Sequence, residues 1–409
     1  MKAGFILNGV FVNDPRVLNE ARILAGNGYQ VYVLNLPPDK NVPRFVQFED
    51  NIFLVHRRIP KKANNVLFAL ENTFALFDYS WNISIKRFIK KYGIEILHAH
   101  DLYMARAAKR ASDHYKIPLV LDLHENYPAA IKEYHWANRF PSRLIVRPSR
   151  WEKKEKKYLS YADRIIVLSS SYRNHLLAKY PGTDPVQVKI YPNVPDVKRM
   201  SSYAIDRDIL PPYDRKIIFY FGVISQRRGI MTTIEAAEIL LRDNQSIHLL
   251  LIGPIDKAEK DRFIRLFAGS EISGHLTYYP WKDIGEFPSY VHASAVCISP
   301  IIKNPQHESG VANKVFQYML FGKPILVSDC EPQADIVSKT GCGLVFKSGD
   351  PVDMAEKLSE LINDNEKCII MGERGKQAVM KEYNTVKQGT EIIKAYRELS
   401  ASGKKSADT

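Results

Sequence analysis

The 409-residue sequence contains no run of about eighteen apolar residues, so no stretch of it reads as a membrane-spanning helix. Its start, Lys2-Ala3-Gly4-Phe5-Ile6-Leu7, is too short for the apolar centre of a secretory signal and runs straight into Asp14-Pro15-Arg16. It reads as a first strand. Cysteine is scarce: Cys297, Cys330, Cys342 and Cys368 form no Cys-x-x-Cys pair and have no histidine cluster beside them. That spacing argues against a disulfide framework and against a zinc site, and leaves free buried thiols in a reducing cytosol. The absence of Gly-x-Gly-x-x-Gly argues against a nicotinamide cofactor, and the absence of Gly-x-Ser-x-Gly against a serine hydrolase. No internal repeat of solenoid period is present.

What is there describes a folded chain with a basic surplus. Hydrophobic residues make up 45% and charged residues 25%, the composition of a globular protein, and the length exceeds one ordinary core and suggests two domains. The net charge is +13. Much of it falls in 132–157, where Lys132, Arg139, Arg143, Arg147, Arg150, Lys153, Lys154, Lys156 and Lys157 are mixed with Trp136, Phe140, Leu144, Ile145, Val146 and Trp151. Such a mixture suits an anionic membrane surface, where each Lys or Arg is worth about 1 kcal/mol. Nucleic acid would use the same chemistry. A solvated helix face over ordinary core residues is the plain alternative.

Strand and helix signals alternate twice along the chain. In the first half, strands are expected at 5–7, 31–34, 94–98, 118–123 and 165–169, with Asp14 and Pro15 opening the first helix and Gly28 ending it. In the second, they are expected at 216–221, 248–252, 295–298, 325–328 and 343–346. Alternation of this kind predicts an α/β protein with two doubly wound, Rossmann-like domains facing across a cleft at the carboxyl ends of their strands. The proline-rich Tyr191-Pro192-Asn193-Val194-Pro195 and Leu210-Pro211-Pro212-Tyr213 mark the connection. The expected division is 1–205, 206–384 and a terminal segment 385–409, with a helix at 390–399 and a disordered tail from 400. Asp206-Arg207-Asp208 has the look of a metal motif but lies in the connection, away from a strand end, and reads as a solvated turn.

The most informative stretch is His307-Glu308-Ser309-Gly310-Val311-Ala312-Asn313-Lys314, continuing through Gln317 to Tyr318-Met319-Leu320-Phe321-Gly322-Lys323-Pro324. It reads as a glycine-bearing loop that opens a helix, with Val315, Phe316, Met319 and Leu320 on one face and Gly322 at a left-handed stop. The free N–H groups and the dipole of such a helix start favour phosphate oxygens. A helix packed on a sheet with no ligand explains the pattern equally well.

This stretch resembles the donor-binding element of the retaining glycosyltransferases of family 4 (glycosyl transferases group 1), which have the GT-B fold. The resemblance continues in order through Asn13-Asp14-Pro15-Arg16-Val17, Leu97-His98-Ala99-His100-Asp101, Leu121-Asp122-Leu123-His124-Glu125, Tyr220-Phe221-Gly222 and Arg228-Gly229. There are departures. Of the family's two loop glutamates, the second aligns with Gln317 and the first with Ser309, with Glu308 one residue off. Val223 replaces the usual Arg after the strand glycine.

The resemblance implies transfer of a sugar from a nucleotide-diphosphate sugar to an acceptor hydroxyl, without metal or other cofactor. It places the donor in the second domain, on Gly222, Arg227, Arg228, the base-side loop Tyr279, Trp281 and Lys282, and the element Glu308, Ser309, Gly310, Val311, Ala312, Asn313, Lys314 and Gln317, with Gly9 after the first strand of the first domain letting the backbone approach the diphosphate. Arg228 would stabilise the departing diphosphate, since a guanidinium binds two oxygens at once. His124 would lie near the sugar, and His100 and Asp101, with His98 beside them, would face the acceptor. The final helix would cross back to the first domain. Combined with the basic stretch, this implies a cytoplasmic protein, peripheral on the inner face of the membrane, with a lipid-linked acceptor in surface polysaccharide or glycolipid synthesis and no nucleic-acid partner. A GT-B-like scaffold without transfer activity is the second reading, motivated by the missing glutamates. An epimerase or phosphorylase of the same fold is the third.

Overall fold

A computed structural model describes residues 1–70, 75–134, 137, 140, 146–210, 214–269 and 271–405. The chain forms two compact units, one of Met1–Pro192 with Gln388–Thr409 and the other of Asn193–Lys387.

The first unit is built on an eight-stranded sheet. Its strands are β1 (Lys2–Ile6), β2 (Gln30–Asn35), β3 (Phe45–Glu49), β4 (Ile52–His56), β5 (Ile96–His100), β6 (Leu119–Asp122), β7 (Arg164–Val167) and β8 (Val188–Ile190). They lie in the order β3-β4-β2-β1-β5-β6-β7-β8, all parallel except the β3–β4 edge pair. Parallel strands need helical crossovers that cover both faces, which is why β5 and β6 are buried throughout, His98, His100 and Asp122 included. One crossover is the helix Leu76–Tyr92, whose Phe77, Trp81, Ile85, Phe88 and Ile89 recur every three or four residues and sink into the core. Each such side chain contributes about 1.5–3 kcal/mol. The order reverses between β1 and β5, and open sheets of this kind offer a crevice at that switch point.

The second unit repeats the plan with six parallel strands: β9 (Lys216–Phe221), β10 (Ile247–Ile252), β11 (Leu276–Tyr279), β12 (Val296–Ser299), β13 (Ile325–Ser328) and β14 (Gly343–Phe346). Their order is β11-β10-β9-β12-β13-β14, the dinucleotide-binding arrangement, with its switch point between β9 and β12.

Several expectations shift. β5 ends at His100, two residues later than read, so His98 and His100 are both inside the strand and fully buried. The edge strand β3 mixes exposed and half-buried residues and gives no clear sequence signal, nor does the short β8, whereas the apolar run Ile52-Phe53-Leu54-Val55 of β4 is a strand missing from the expectations. The terminal helix runs Thr385–Lys405, well beyond 399, and Ser400 bonds back to the Tyr396 carbonyl to continue it. Residues 406–409 of the expected tail lie outside the described residues. So do Pro211, Pro212 and Tyr213 of the connection and Trp136, Arg139, Arg143, Leu144 and Ile145 of the basic stretch. The four cysteines are free; all but Cys368 are fully buried.

Candidate active site

In the second unit, the site grows from the end of β9. Gly222 has φ 137°, a conformation open to glycine, and a side chain there would meet the Tyr220 hydroxyl and the Lys314 amine. The turn Gln226–Arg228 follows and stops at Gly229, at φ 77°, where a Cβ would lie 1.7 Å from the Pro300 carbonyl oxygen. Ile302 N–H donates to the Arg227 carbonyl. Glycine is therefore required for this turn to press against the end of β12, which brings Arg227 and Arg228 to the switch point.

The helix Asn313–Leu320 approaches from the other side. Val315, Phe316, Met319 and Leu320 are buried as their spacing predicts, and Gly322 is left-handed. No side chain caps its start at Ala312. Lys314 is buried at 8% exposure, and its amine lies 3.7 Å from the centre of the Tyr220 ring. Among the described residues no carboxylate pairs with it. Burial, then Arg228, pushes this amine well below its ordinary range. The Tyr318 hydroxyl accepts from Phe221 N–H at 2.9 Å and ties the helix to β9.

The loop between β12 and this helix is held from within. Arg227 donates to Gln306 Oε1, and the Ser309 hydroxyl donates to the Gln306 carbonyl at 2.6 Å. Glu308 accepts from the Glu331 N–H at the start of the helix Glu331–Thr340, so one of its oxygens already has a partner. Gly310 is extended, Val311 is buried and Gln317 is half-buried. His307, absent from the sequence expectations as a site residue, proves informative. Its Nδ1 sits 2.6 Å from the Ile302 carbonyl and its Nε2 is buried without a partner. Burial, then Arg228, pushes it down to about 4, so at neutral pH the ring is uncharged. The Tyr279–Lys282 loop stands apart. It ends edge strand β11, with β10 between it and β9, and Lys282 folds over the Tyr279 ring at 4.5 Å while Trp281 is 72% exposed.

In the first unit the carboxyl ends of β1, β5 and β6 hold a charge network. Arg16 donates through two nitrogens to Asp122, at 2.8 and 2.6 Å, and through a third to the Tyr191 carbonyl. Asp122 also lies 2.8 Å from His124 Nε2 and 3.3 Å from His100 Nδ1. Burial would raise the Asp122 carboxyl; Arg16 and His124 outweigh it and hold it well below the carboxylate range. Burial would lower His124, but Asp101, Asp122 and Asp14 outweigh it and hold it at about 10. His124 is thus an imidazolium at neutral pH. Asp101 has φ 72° without being glycine, a strained backbone of the kind that collects at functional sites, and its carboxylate accepts from Tyr103. His98, by contrast, is tied to the Tyr396 hydroxyl of the terminal helix at 2.9 Å, away from any exposed face. Gly9 follows β1 at an ordinary φ with only Leu7 near a would-be Cβ.

Among the described residues one group offers metal-ligand atoms: Glu20, His98, His100 and Asp122, within 4.8 Å of one another. Arg16 already lies against Asp122 and 3.2 Å from Glu20, where a metal ion would have to sit. The group does not fit a metal; the guanidinium is its cation.

The family model described as Glycosyl transferases group 1 matches residues 203–378, and that described as Glycosyltransferase Family 4 matches residues 16–199. The chain belongs to the group 1 glycosyltransferases. An uncharacterized glycosyltransferase of Methanocaldococcus jannaschii is 22% identical over 58% of this chain and 59% of its own length, so that match spans well under two thirds of the relative. Sucrose-phosphate synthase from Thermosynechococcus elongatus has a solved structure similar over 98% of this chain and 100% of that one, at TM-score 0.77 and 19% identity. HepE of Anabaena, solved in complex with UDP-glucose, covers 97% and 100% at TM-score 0.69 and 12% identity. These likenesses show the GT-B fold.

In this glycosyltransferase the structure gathers Gly222, Arg227, Arg228 and Lys314 in one unit and His100, Asp101 and His124 in the other. Sequence reasoning passed over Arg16 and Asp122 as site residues. The pairing of β5 with β6 sets His100 opposite Asp122 and would have disclosed the latter. Arg16 had no such signal, because its partner is 106 residues away.

Proposed function

We propose that this glycosyltransferase takes a sugar from a nucleoside-diphosphate donor held in the second unit and passes it to an acceptor hydroxyl with retention at the anomeric carbon. The observation that carries this is Lys314. A buried ammonium without a carboxylate is costly, and a diphosphate is the anion that would complete it. Arg228 stands beside it, and the uncapped helix start adds dipolar support. HepE, of the same fold, was solved with UDP-glucose, which supports a nucleotide sugar in this position.

In the reaction, the bond from the anomeric carbon to the diphosphate oxygen breaks and a bond to the acceptor oxygen forms. The acceptor proton passes to the departing phosphate on the same face. Arg228 and Lys314 offset the charge that builds on that phosphate, so the chain's own cations serve where other enzymes use a metal. His124 donates from its imidazolium to a sugar or acceptor oxygen, and Asp101 accepts from a neighbouring hydroxyl of the acceptor, not the one that attacks. Asp122 and Arg16 hold His124 in place. Gln317, an amide, both donates and accepts toward ribose hydroxyls.

The acceptor is lipid-linked, in surface polysaccharide or glycolipid synthesis, and the first unit meets an anionic membrane. The support is the helix Pro148–Leu159, which buries Trp151, Tyr158 and Leu159 while Lys153, Lys156 and Lys157 are exposed beside a cavity of about 750 Å³. Among the described residues no helix is long and apolar enough to cross a membrane.

The deciding experiment is thermal unfolding with UDP, GDP, ADP, dTDP and CMP, each alone. A nucleotide at a hundred times its Kd adds about 2.7 kcal/mol and raises the midpoint. One diphosphate should do so, and not in the Lys314→Met variant. No shift with any of them would sink the donor assignment.

A further inference from the structure

Outside both sites, Arg57 stands out among the described residues as a buried cation. Arg57 follows β4 and is only 8% exposed, yet among the described residues no carboxylate pairs with it. Its Nε donates to the Ser84 hydroxyl at 3.1 Å, one terminal nitrogen donates to Asn64 Oδ1 at 3.1 Å, and the other donates to the Ser80 hydroxyl. Its guanidinium lies 4.3 Å from the centre of the Trp81 ring. Every one of these partners is neutral. A guanidinium has five N–H groups, so two lack an acceptor among the described residues. Burial pushes even this arginine down to about 10.

Arg57 borders a cavity of about 330 Å³ between the helix Leu76–Tyr92 and the ends of β2 and β4. The other charged residues lining it are Arg44, Arg58, Arg87 and Lys91, all exposed, and no described lining residue is a carboxylate. His56 also lines it, and burial and Arg58 push that ring toward its neutral form. Five cations around one small cavity repel each other, and an arginine whose only task was to tie the helix to β4 would need none of the other four. Low-dielectric burial makes an unpaired charge expensive and a matching one strongly bound.

We propose that this cavity binds a phosphoryl or diphosphoryl group, with Arg57 at its floor and Arg87 and Lys91 at its rim. The position says whose group it is. Asn64, which accepts from Arg57, donates to Asn8 Oδ1 at 3.0 Å, and Asn8 is in the turn after β1 at the switch point that also holds Asp101 and His124. The occupant is a phosphate of the acceptor, a use that rests on reading the first unit as the acceptor side. A soluble sugar phosphate and a polyprenyl-diphosphate sugar present the same chemistry.

The test begins with inorganic pyrophosphate titrated calorimetrically into the full chain at low and high salt, comparing wild type with the double variant Arg87→Glu, Lys91→Glu. Both side chains are exposed, so folding should be intact, which an unchanged unfolding midpoint confirms. A salt-sensitive binding phase should weaken at least tenfold in the double variant and in Arg57→Gln, while any phase due to the second unit stays. Equal pyrophosphate binding in wild type and double variant overturns the site. Transfer assays then separate the sources: the double variant should raise KM at least tenfold for the phosphorylated acceptor that is used, a glucose phosphate or a polyprenyl-diphosphate sugar, and leave kcat and donor KM alone. An unchanged acceptor KM alongside weakened pyrophosphate binding overturns the acceptor assignment alone. Loss of nucleotide binding in wild type would instead count against the donor reading.

Discussion

The two units treat buried charge in opposite ways. In the first, Arg16 and His124 share Asp122 through short, buried contacts, Asp101 and Asp14 also face His124, and Glu20 beside them is pushed toward its protonated form by burial and Asp122. In the second, Lys314 is buried against the Tyr220 ring with no carboxylate partner among the described residues, and Arg228 makes its position worse. One site carries its own counter-charges and is set before any substrate arrives. The other is left incomplete in a way that an anion completes. The same fold, with the same switch-point logic, thus holds an orienting site in one sheet and a binding site in the other.

The largest effect should come from unbalancing the closed network. Asp122→Asn leaves Arg16 and His124 buried without their carboxylate, and removing one partner of a buried pair typically costs about 3–5 kcal/mol. Denaturant unfolding should show a loss of that order; a loss below about 1 kcal/mol would mean that the network is not charge-locked. Next comes Arg228→Ala. It should lower kcat by about 10²-fold or more, roughly 2.7 kcal/mol or above, with little change in stability, because its charge matters most when the diphosphate leaves. Near wild-type turnover in the folded variant would remove Arg228 from the mechanism.

Much of this contrast was readable in the sequence, though unevenly. The apolar runs that became β9, β13 and β14 were placed to the residue or nearly so, because strands buried on both faces leave no polar interruption. Gly222, Arg228 and Lys314 came from the family resemblance, whose motifs keep a loop and a helix start next to those strands in sequence. The first-unit network was harder. Its members come from a helix, two strands and a loop, and only folding brings Arg16 to Asp122. His307 was in plain view, but a lone histidine gives no sign that one nitrogen will be satisfied and the other left bare. Arg57 was invisible for the converse reason: its significance is the carboxylate that is not there, and no sequence records an absence in space.

Lys314→Met is the substitution that would best sharpen the comparison, since its two effects should have opposite signs. Removing an unpaired buried ammonium relieves a desolvation cost, so the unliganded protein should gain roughly 1–3 kcal/mol in denaturant unfolding. The diphosphate should then bind at least tenfold more weakly. If the variant is instead destabilised, Lys314 has a structural role like that of Arg16, and the contrast between the units fails.

The smallest effect near neutrality is a pH dependence, and it separates the sites further. The folded His124 has its pKa raised to about 10 from an ordinary 6.5 by Asp101, Asp122 and Asp14, against burial. A base held up in this way contributes its full stability below the ordinary value and loses it as pH rises through the raised one. The difference in unfolding free energy between wild type and His124→Gln should therefore be largest below about pH 6.5, still substantial at pH 8, and shrink toward pH 10. His100 also faces this ring, but burial lowers its own pKa, so it remains neutral across that window. In the second unit, by contrast, His307 is already neutral above about 4. A flat difference from pH 6 to 10 would mean that the imidazole is not charged in the native state, and with it would go the assignment of His124 as the donor of a charged hydrogen bond to the sugar or acceptor oxygen.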